Sequence, residues 1–182
     1  LFRSTALSLS VAEKLNAEVI SVDSRQVYRY MDVGTDKVSV SLRREIPHHL
    51  IDIVDPDEKF TVSDFAEKAS QAVSRILARK RIPLFVGGTP FYYNALFHAS
   101  LNADLPSDSD VRGKYEALAN SQGAELLHMR LAEVDPKTAE RLHKNDIQRV
   151  TRALEIYDLT GKAPSQIYSE GTKRDYGFDI LY

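Results

Sequence analysis

From Thr5 onward, the apolar residues Leu7, Val11 and Leu15 fall four positions apart. This spacing is typical of one face of an amphipathic helix, which we predict over residues 5–16. Apolar residues repeat at helical spacing again over residues 61–80, and this stretch opens with a capping-box pattern. The spacing therefore predicts two helices in the first half of the chain.

Short β-branched and apolar runs separate these helices, at residues 18–22, 49–54 and 82–86. Such runs are typical of buried parallel strands. They are followed by polar or turn residues: Asp23-Ser24, Asp55-Pro56 and Gly87-Gly88-Thr89. Alternating strands and helices predict an α/β fold with a parallel sheet, whose ligands bind beyond the carboxyl ends of the strands. Asp23 and Thr89 both fall at that edge.

The second half of the chain changes character after residue 106. Polar helices without intervening strands are predicted at 108–120, 124–132, 136–142 and 147–160, and Gly161 ends the last of them. A strand from Gly177 would rejoin the sheet. We therefore predict an α/β core over 1–106, a helical insertion over 107–161 and a return to the core over 162–182. Because the chain opens without Met and stops within a strand pattern, we expect sequence on both sides of it.

Composition narrows the possible functions. The 182 residues include 24 Lys and Arg, 26 Asp and Glu, and no Cys. The absence of Cys excludes disulfides, a Cys-ligated zinc site and a cysteine nucleophile, and favours a cytoplasmic protein. A formal charge of −2 means that any surface for nucleic acid must be local. No apolar run is long enough to predict a membrane span, and the start does not resemble a signal peptide.

Asp23 and Thr89 each have two interpretations. The Asp23 carboxylate could accept a proton or hold a cation, or it could cap a short helix after the strand. Thr89 precedes Pro90, a standard helix start, but two glycines before it would let a backbone approach a ligand closely. The residue pattern alone leaves both pairs of alternatives open.

A local positive charge lies between Lys137 and Arg152, which includes five Lys or Arg and two Asp or Glu. Arg149 and Arg152 are neighbours on one helix turn, with Gln148 beside them, and two guanidiniums on one turn can bind a phosphate. Alternatively, the two arginines pair with Asp146 and Glu155 on a solvated face. Two other groups are interpreted as structural: His48-His49, and the tyrosines Tyr92 and Tyr93.

Six ordered segments together resemble the tRNA dimethylallyltransferase family. They are Ile20 to Ser24, Gln26 to Tyr28, Met31 to Thr35, Pro47 to Asp52, Val86 to Thr89, and Asn145 to Arg149 continued by Arg152 to Glu155. The resemblance implies a P-loop kinase-like parallel sheet flanked by helices, with a helical insertion. It also implies transfer of a dimethylallyl group from dimethylallyl diphosphate to the exocyclic amine of the adenosine beside the tRNA anticodon, with Mg²⁺.

The resemblance also implies roles for individual residues. Asp23 matches the family's general base and Thr89 its active-site threonine, while Thr5 matches a threonine at the diphosphate and magnesium site. The positions that match tRNA contacts are Asp23, Ser24, Arg25, Gln26, Arg112, Gln148, Arg149, Val150, Thr151 and Arg152. We expect a monomer that binds the anticodon stem-loop.

The chain departs from the family at its start, where Arg3 and Ser4 occupy the places of the Gly and Lys of the phosphate loop. We interpret this as omission of the preceding segment. Three alternatives share parts of the pattern: an isopentenyltransferase that acts on free adenine nucleotide, a P-loop kinase, and a noncatalytic RNA-binding remnant.

Overall fold

The structure, a computed structural model, describes residues 3–97 and 105–170. The chain divides into two compact units, residues 1–98 and 99–182. The first unit alternates helices with strands, in the order α1 (Arg3–Lys14), β1 (Ala17–Ser21), α2 (Val40–Glu45), β2 (His48–His49), α3 (Val62–Ala78), β3 (Ile82–Val86) and α4 (Pro90–Phe97). The strands form a parallel sheet in the order β2-β1-β3. The α/β class and the parallel sheet are confirmed.

The centre of the first unit is β1, whose five residues are all buried. It pairs with β3 from Ala17↔Ile82 to Ser21↔Val86. The helix α3 packs on both strands and begins with the predicted capping box, in which Thr61 and Asp64 satisfy each other's backbone N–H. The apolar face of α3 is buried, and its Phe65 ring stacks on Tyr92 at 4.1 Å between centroids. The packing role of Tyr92 is thus confirmed.

Glu18 binds neighbouring side chains at the end of the sheet that lies opposite Asp23 and Thr89. Its side chain is buried in β1 and accepts a bidentate pair of hydrogen bonds from Arg79, from Nη2 over 2.7 Å and from Nε over 3.0 Å. His49 and Arg81 contact the same carboxylate at 2.6 and 3.3 Å. Burial alone would raise the pKa of Glu18, but the hydrogen bonds from Arg79 and His49 lower that pKa to about 2. The structural interpretation of His49 is confirmed, because its ring joins β2 to this buried charge.

Two features of the first unit differ from the sequence prediction. The strand predicted over 49–54 is limited to His48–His49, because Leu50 and Asp52 adopt positive φ angles of 64° and 56°. The backbone after β2 instead bonds to the turn after β1, with Ile53 N–H donating to the Val27 carbonyl over 2.8 Å. Second, α1 forms as predicted, but Leu7 is 65% exposed.

Small residues of α1 account for that exposure. Its buried positions are Ser8 and Ala12, and Ala12 packs against Ala17 and Val19 of the first strand. A helix that turns small side chains toward a strand can approach it closely, so the larger leucines lie on other faces.

The second unit is helical in its described part. Its elements are α5 (Ser109–Gln122), α6 (Ala124–Val134), α7 (Pro136–Arg141), α8 (Ile147–Thr160) and α9 (Pro164–Glu170). The first four confirm the predicted helices to within two residues at each end. Gly161 ends α8 in the left-handed conformation at φ 70°, also as predicted.

The helix α9 was not predicted. Asp135 explains how it begins, because this buried carboxylate accepts the backbone N–H groups of Thr138 and Ser165, in the first turns of α7 and α9. The helix packs on α7 and α8. The strand predicted from Gly177 lies outside the described residues, and the three-part domain division stays a prediction. Within the described residues, no helix is both long and apolar enough to cross a bilayer.

Candidate active site and basic cluster

The carboxyl ends of β1 and β3 are joined by a short ladder of hydrogen bonds. Val22 N–H donates to the Val86 carbonyl over 2.8 Å, and Thr89 N–H donates to the Val22 carbonyl over 3.1 Å. Ser24 N–H then donates to the Thr89 hydroxyl oxygen over 3.1 Å. The ladder brings the segments that carry Asp23 and Thr89 together at one edge of the sheet, as the parallel pattern predicted.

Gly87 allows the two strand ends to approach this closely. A Cβ atom at position 87 would lie 2.1 Å from the Val22 carbonyl oxygen, which no side chain could tolerate. A Cβ at Gly88 would meet nothing within 4 Å. The close backbone approach at Gly87 is therefore one between the chain's own segments. Both glycines also line a cavity of this unit, so the approach of a ligand to this pair stays a prediction.

Asp23 holds the turn that follows β1. Its Oδ1 accepts the backbone N–H groups of Arg25 and Gln26 at 2.8 and 3.2 Å, which caps a turn rather than a short helix. Its Oδ2 has no hydrogen-bond partner among the described residues. The carboxylate is half-buried. One of its oxygens is held by the turn, and the other is available to accept a proton.

Gln26 holds the loop that follows. Its Oε1 accepts the Ser21 hydroxyl over 3.0 Å, and its Nε2 donates to the Thr35 carbonyl over 2.9 Å. Both ends of the carboxamide are thus engaged inside the first unit. Ser24 is half-buried in the same turn and Arg25 is exposed.

The loop held by Gln26 carries Asp36, which the sequence analysis missed. The Thr5 hydroxyl donates to Asp36 Oδ2 over 3.2 Å. A cavity of about 560 Å³ lies here, and its polar lining includes Thr5, Ser21, Asp23, Gln26, Thr35 and Asp36. Its volume falls in the range of small-molecule sites. In the sequence, only the preceding Gly34-Thr35 turn indicates that the chain folds back at Asp36.

The oxygen atoms at this cavity suit Mg²⁺, which keeps several waters and needs only one or two protein ligands. The Thr5 hydroxyl and the Asp36 carboxylate are adjacent, and Asp23 lines the same cavity. Among residues 3–97 and 105–170, no group of three or more His, Asp or Glu side chains could hold a metal ion. The residues therefore fit a cation that a phosphate helps to hold, and they do not form an all-protein metal cage.

The second unit contains a separate charged cluster around Glu155. This carboxylate is buried on α8, and it accepts Arg152 Nη1 over 2.7 Å and Arg112 Nη2 over 2.9 Å at the same oxygen. Asp108 N–H donates to its other oxygen over 2.7 Å. Burial would raise the pKa of Glu155, but the hydrogen bonds from Arg152, the Asp108 backbone and Arg112 lower that pKa to about 2.

Four of the five predicted tRNA contacts on α8 form two groups, and the fifth, Arg152, binds Glu155. Gln148 and Arg149 are exposed, and Arg149 pairs with Asp146 over 2.8 Å. Val150 and Thr151 are buried in the helical core at 0% and 1% exposure. Helix α8 turns these two side chains toward its neighbouring helices, and their assignment to a tRNA-binding stretch stays a prediction. Both acidic partners proposed for the alternative interpretation, Asp146 and Glu155, do bind the two arginines.

The chain is similar to known proteins over most of its length. The family model described as IPP transferase matches residues 26–182. The tRNA dimethylallyltransferase of Dictyoglomus turgidum is 46% identical over 91% of this chain and 51% of that protein. The enzyme of the same name from Nitrosococcus oceani is 44% identical over 97% of this chain and 56% of that protein.

Two solved structures are similar as well. A tRNA isopentenylpyrophosphate transferase from Bacillus halodurans has a TM-score of 0.54 at 47% identity, over 87% of this chain and 52% of that one. A eukaryotic dimethylallyltransferase acting on tRNA has a TM-score of 0.73 at 34% identity, over 92% and 41%. The chain spans about half the length of the curated relatives that it matches. The match over most of its residues shows that this chain belongs to the IPP transferase family.

Proposed function

We propose that this protein transfers a dimethylallyl group from dimethylallyl diphosphate to the exocyclic amine of the adenosine beside the tRNA anticodon. The observation that carries the proposal is the joined edge of β1 and β3, where Asp23 has one carboxylate oxygen without a partner among the described residues and its neighbour Ser24 donates its N–H to the Thr89 hydroxyl. Relatives over most of the chain are named for this activity. The proposal makes the protein a transferase that modifies tRNA.

The amine needs a base, because its lone pair is delocalised into the adenine ring. In the proposed step, the amine nitrogen bonds to the allylic carbon as the bond from that carbon to the diphosphate oxygen breaks. Asp23 Oδ2 accepts the amine proton, and diphosphate leaves with the bonding electron pair. A positioned base contributes typically 10²–10⁴-fold to the rate of such a step.

Thr89 is suited to hold the leaving group. Its hydroxyl oxygen accepts Ser24 N–H, and the hydroxyl hydrogen is then left to donate to an oxygen of the donor substrate. Donors aimed at the developing charge of a leaving group lower the barrier because they need no reorganisation. Thr5 and Asp36 would hold Mg²⁺, which neutralises the charge of a diphosphate when bound.

Recognition of tRNA is proposed for the second unit and for the turn after β1. Arg112, Arg149 and Arg152 supply guanidiniums for phosphates, and Arg25 is exposed beside Asp23. The target base must leave its stack to reach the half-buried Asp23 at the edge of the sheet. This step costs little free energy in a loop that is already single-stranded. A monomeric state and a cytoplasmic location stay predictions.

The test uses protein expressed from its complete gene, incubated with unmodified tRNA and dimethylallyl diphosphate. We expect one diphosphate released for each prenylated adenosine found by mass spectrometry of the digested tRNA. AMP supplied instead of tRNA serves as the matched acceptor. Prenylation of AMP without modification of tRNA would indicate the nucleotide enzyme, and RNA binding without diphosphate release would indicate a noncatalytic protein.

A further inference from the structure

Arg112 and Arg152 lie 40 residues apart in the sequence and meet on one buried carboxylate. Arg112 Nη2 and Arg152 Nη1 lie 2.9 and 2.7 Å from the same Glu155 oxygen. The two guanidiniums are therefore side by side, although they belong to α5 and α8. The Glu155 side chain is fully buried, which excludes it from direct contact with a large ligand.

Each guanidinium keeps donors that this carboxylate does not use. The side-chain hydrogen bonds of Arg112 to the described residues all run through Nη2, to Glu155 and to the Ser107 hydroxyl, and its side chain is 42% exposed. Arg152 also donates to the backbone carbonyls of Leu105 and Pro106, so its orientation is fixed by three acceptors. Two arginines and one carboxylate carry a net charge of +1. The N–H groups of the arginines that do not bind Glu155 or another acceptor of the protein can donate to a ligand.

We propose that Glu155 is a positioning residue, which holds Arg112 and Arg152 in a fixed pair that binds a phosphate of the tRNA substrate. The inference rests on the proposed function, because it takes tRNA as the ligand. A guanidinium held in place loses less conformational entropy on binding than a free one, so a fixed pair binds more tightly than its charge alone would predict.

This proposal makes a prediction opposite to that of simple electrostatics. Glu155→Gln removes one negative charge, so a cluster that acts only through net charge should bind RNA more tightly. A positioned pair should bind less tightly, because a neutral amide accepts weakly from two guanidiniums and from Asp108 N–H. Asp146→Asn is the matched control: it removes the same charge from the exposed Arg149 pair of α8, and the amide oxygen can still cap the helix.

The experiment measures affinity for a tRNA anticodon stem-loop across a salt series, well below the melting temperature of each variant, using protein expressed from its complete gene. We expect Glu155→Gln to raise Kd by about tenfold or more, the effect of losing one charge-assisted hydrogen bond. The log–log salt slope should also fall by roughly 0.7–0.9 for each lost phosphate contact. Asp146→Asn should leave Kd unchanged or lower it.

If the Kd of Glu155→Gln equals or lies below that of the wild type and only its melting temperature is lowered, Glu155 is purely structural and the inference is overturned. If that variant does not fold, Arg112→Lys carries the test, since lysine keeps the charge without the fork of donors. An unchanged Kd for Arg112→Lys would overturn the inference too. Failure of the wild type to bind tRNA would instead reject the proposed function itself, together with this inference.

Discussion

The backbone N–H of Ser24 donates to the side-chain hydroxyl of Thr89 across 65 residues of sequence, over 3.1 Å. This bond completes the ladder between the ends of β1 and β3 and sets the distance between the segments that carry Asp23 and Thr89. It uses the acceptor capacity of the hydroxyl, which leaves its hydrogen for a ligand. One short side chain therefore serves both the fold and the proposed chemistry.

Replacement of Thr89 should separate these two roles. Thr89→Ala leaves Ser24 N–H without its acceptor and removes the donor proposed for the leaving group, so we expect slower turnover and a loss of about 1 kcal/mol in stability. Thr89→Ser keeps the hydroxyl and should retain most of both. Turnover and thermal melting of the two variants test this. Full activity in Thr89→Ala would remove the residue from the proposed step.

The two arginines of α8 should differ sharply in their effect on stability. Arg149→Gln removes an exposed pair and should change the free energy of unfolding by less than about 1 kcal/mol. Arg152→Gln takes a partner from the buried Glu155 and should cost about 3 kcal/mol or more. Urea unfolding of each single variant measures the difference, and equal losses would contradict the burial argument.

Glu18 should make stability depend on acid pH. Its folded-state pKa is lowered from 4.5 to about 2, so the carboxylate contributes stability above about pH 4.5 that is lost as the pH falls toward 2. The difference in unfolding free energy between wild type and Glu18→Gln should shrink over this range, by on the order of 3 kcal/mol. Glu125→Gln, which breaks an exposed pair with Lys144, is the control and should show little such dependence. A pH-independent difference for Glu18→Gln would contradict the account.

Thr151 offers a stabilising substitution. Its side chain is 1% exposed, and its hydroxyl has no hydrogen-bond partner in the described part of the chain. Thr151→Val replaces that hydroxyl with a methyl group of similar size and should stabilise the protein by about 1 kcal/mol. Because the side chain faces the helical core, tRNA affinity should not change. Loss of affinity in this variant would indicate that the Thr151 side chain contacts tRNA.

Much of the fold could be predicted because its signals are local. The capping box at Thr61, the β-branched run before Asp23 and the glycine after α8 each act within a few residues. The edge shared by Asp23 and Thr89 follows from the parallel sheet alone. The shortened second strand could not be predicted, since positive φ angles at Leu50 and Asp52 depend on hydrogen bonds to the turn after β1.

The parts of the candidate sites that the sequence did not reveal depend on contacts between distant residues. Asp36 meets Thr5 because Gln26 holds the intervening loop. Glu155 meets Arg112 because α5 packs on α8. Neither pair has a fixed spacing that a pattern could recognise, and the charge run on α8 indicated only that arginines were present.

The central claim is that Asp23 is the base of the transfer, and the single-turnover rate of prenyl transfer to bound tRNA tests it most directly. Asp23→Asn keeps the oxygen that accepts the backbone N–H groups of Arg25 and Gln26, so fold and tRNA affinity should stay within a few-fold of wild type. The amide cannot accept the amine proton, so the single-turnover rate should fall by at least about 10². A rate within a few-fold of wild type, at equal tRNA affinity, would contradict the account.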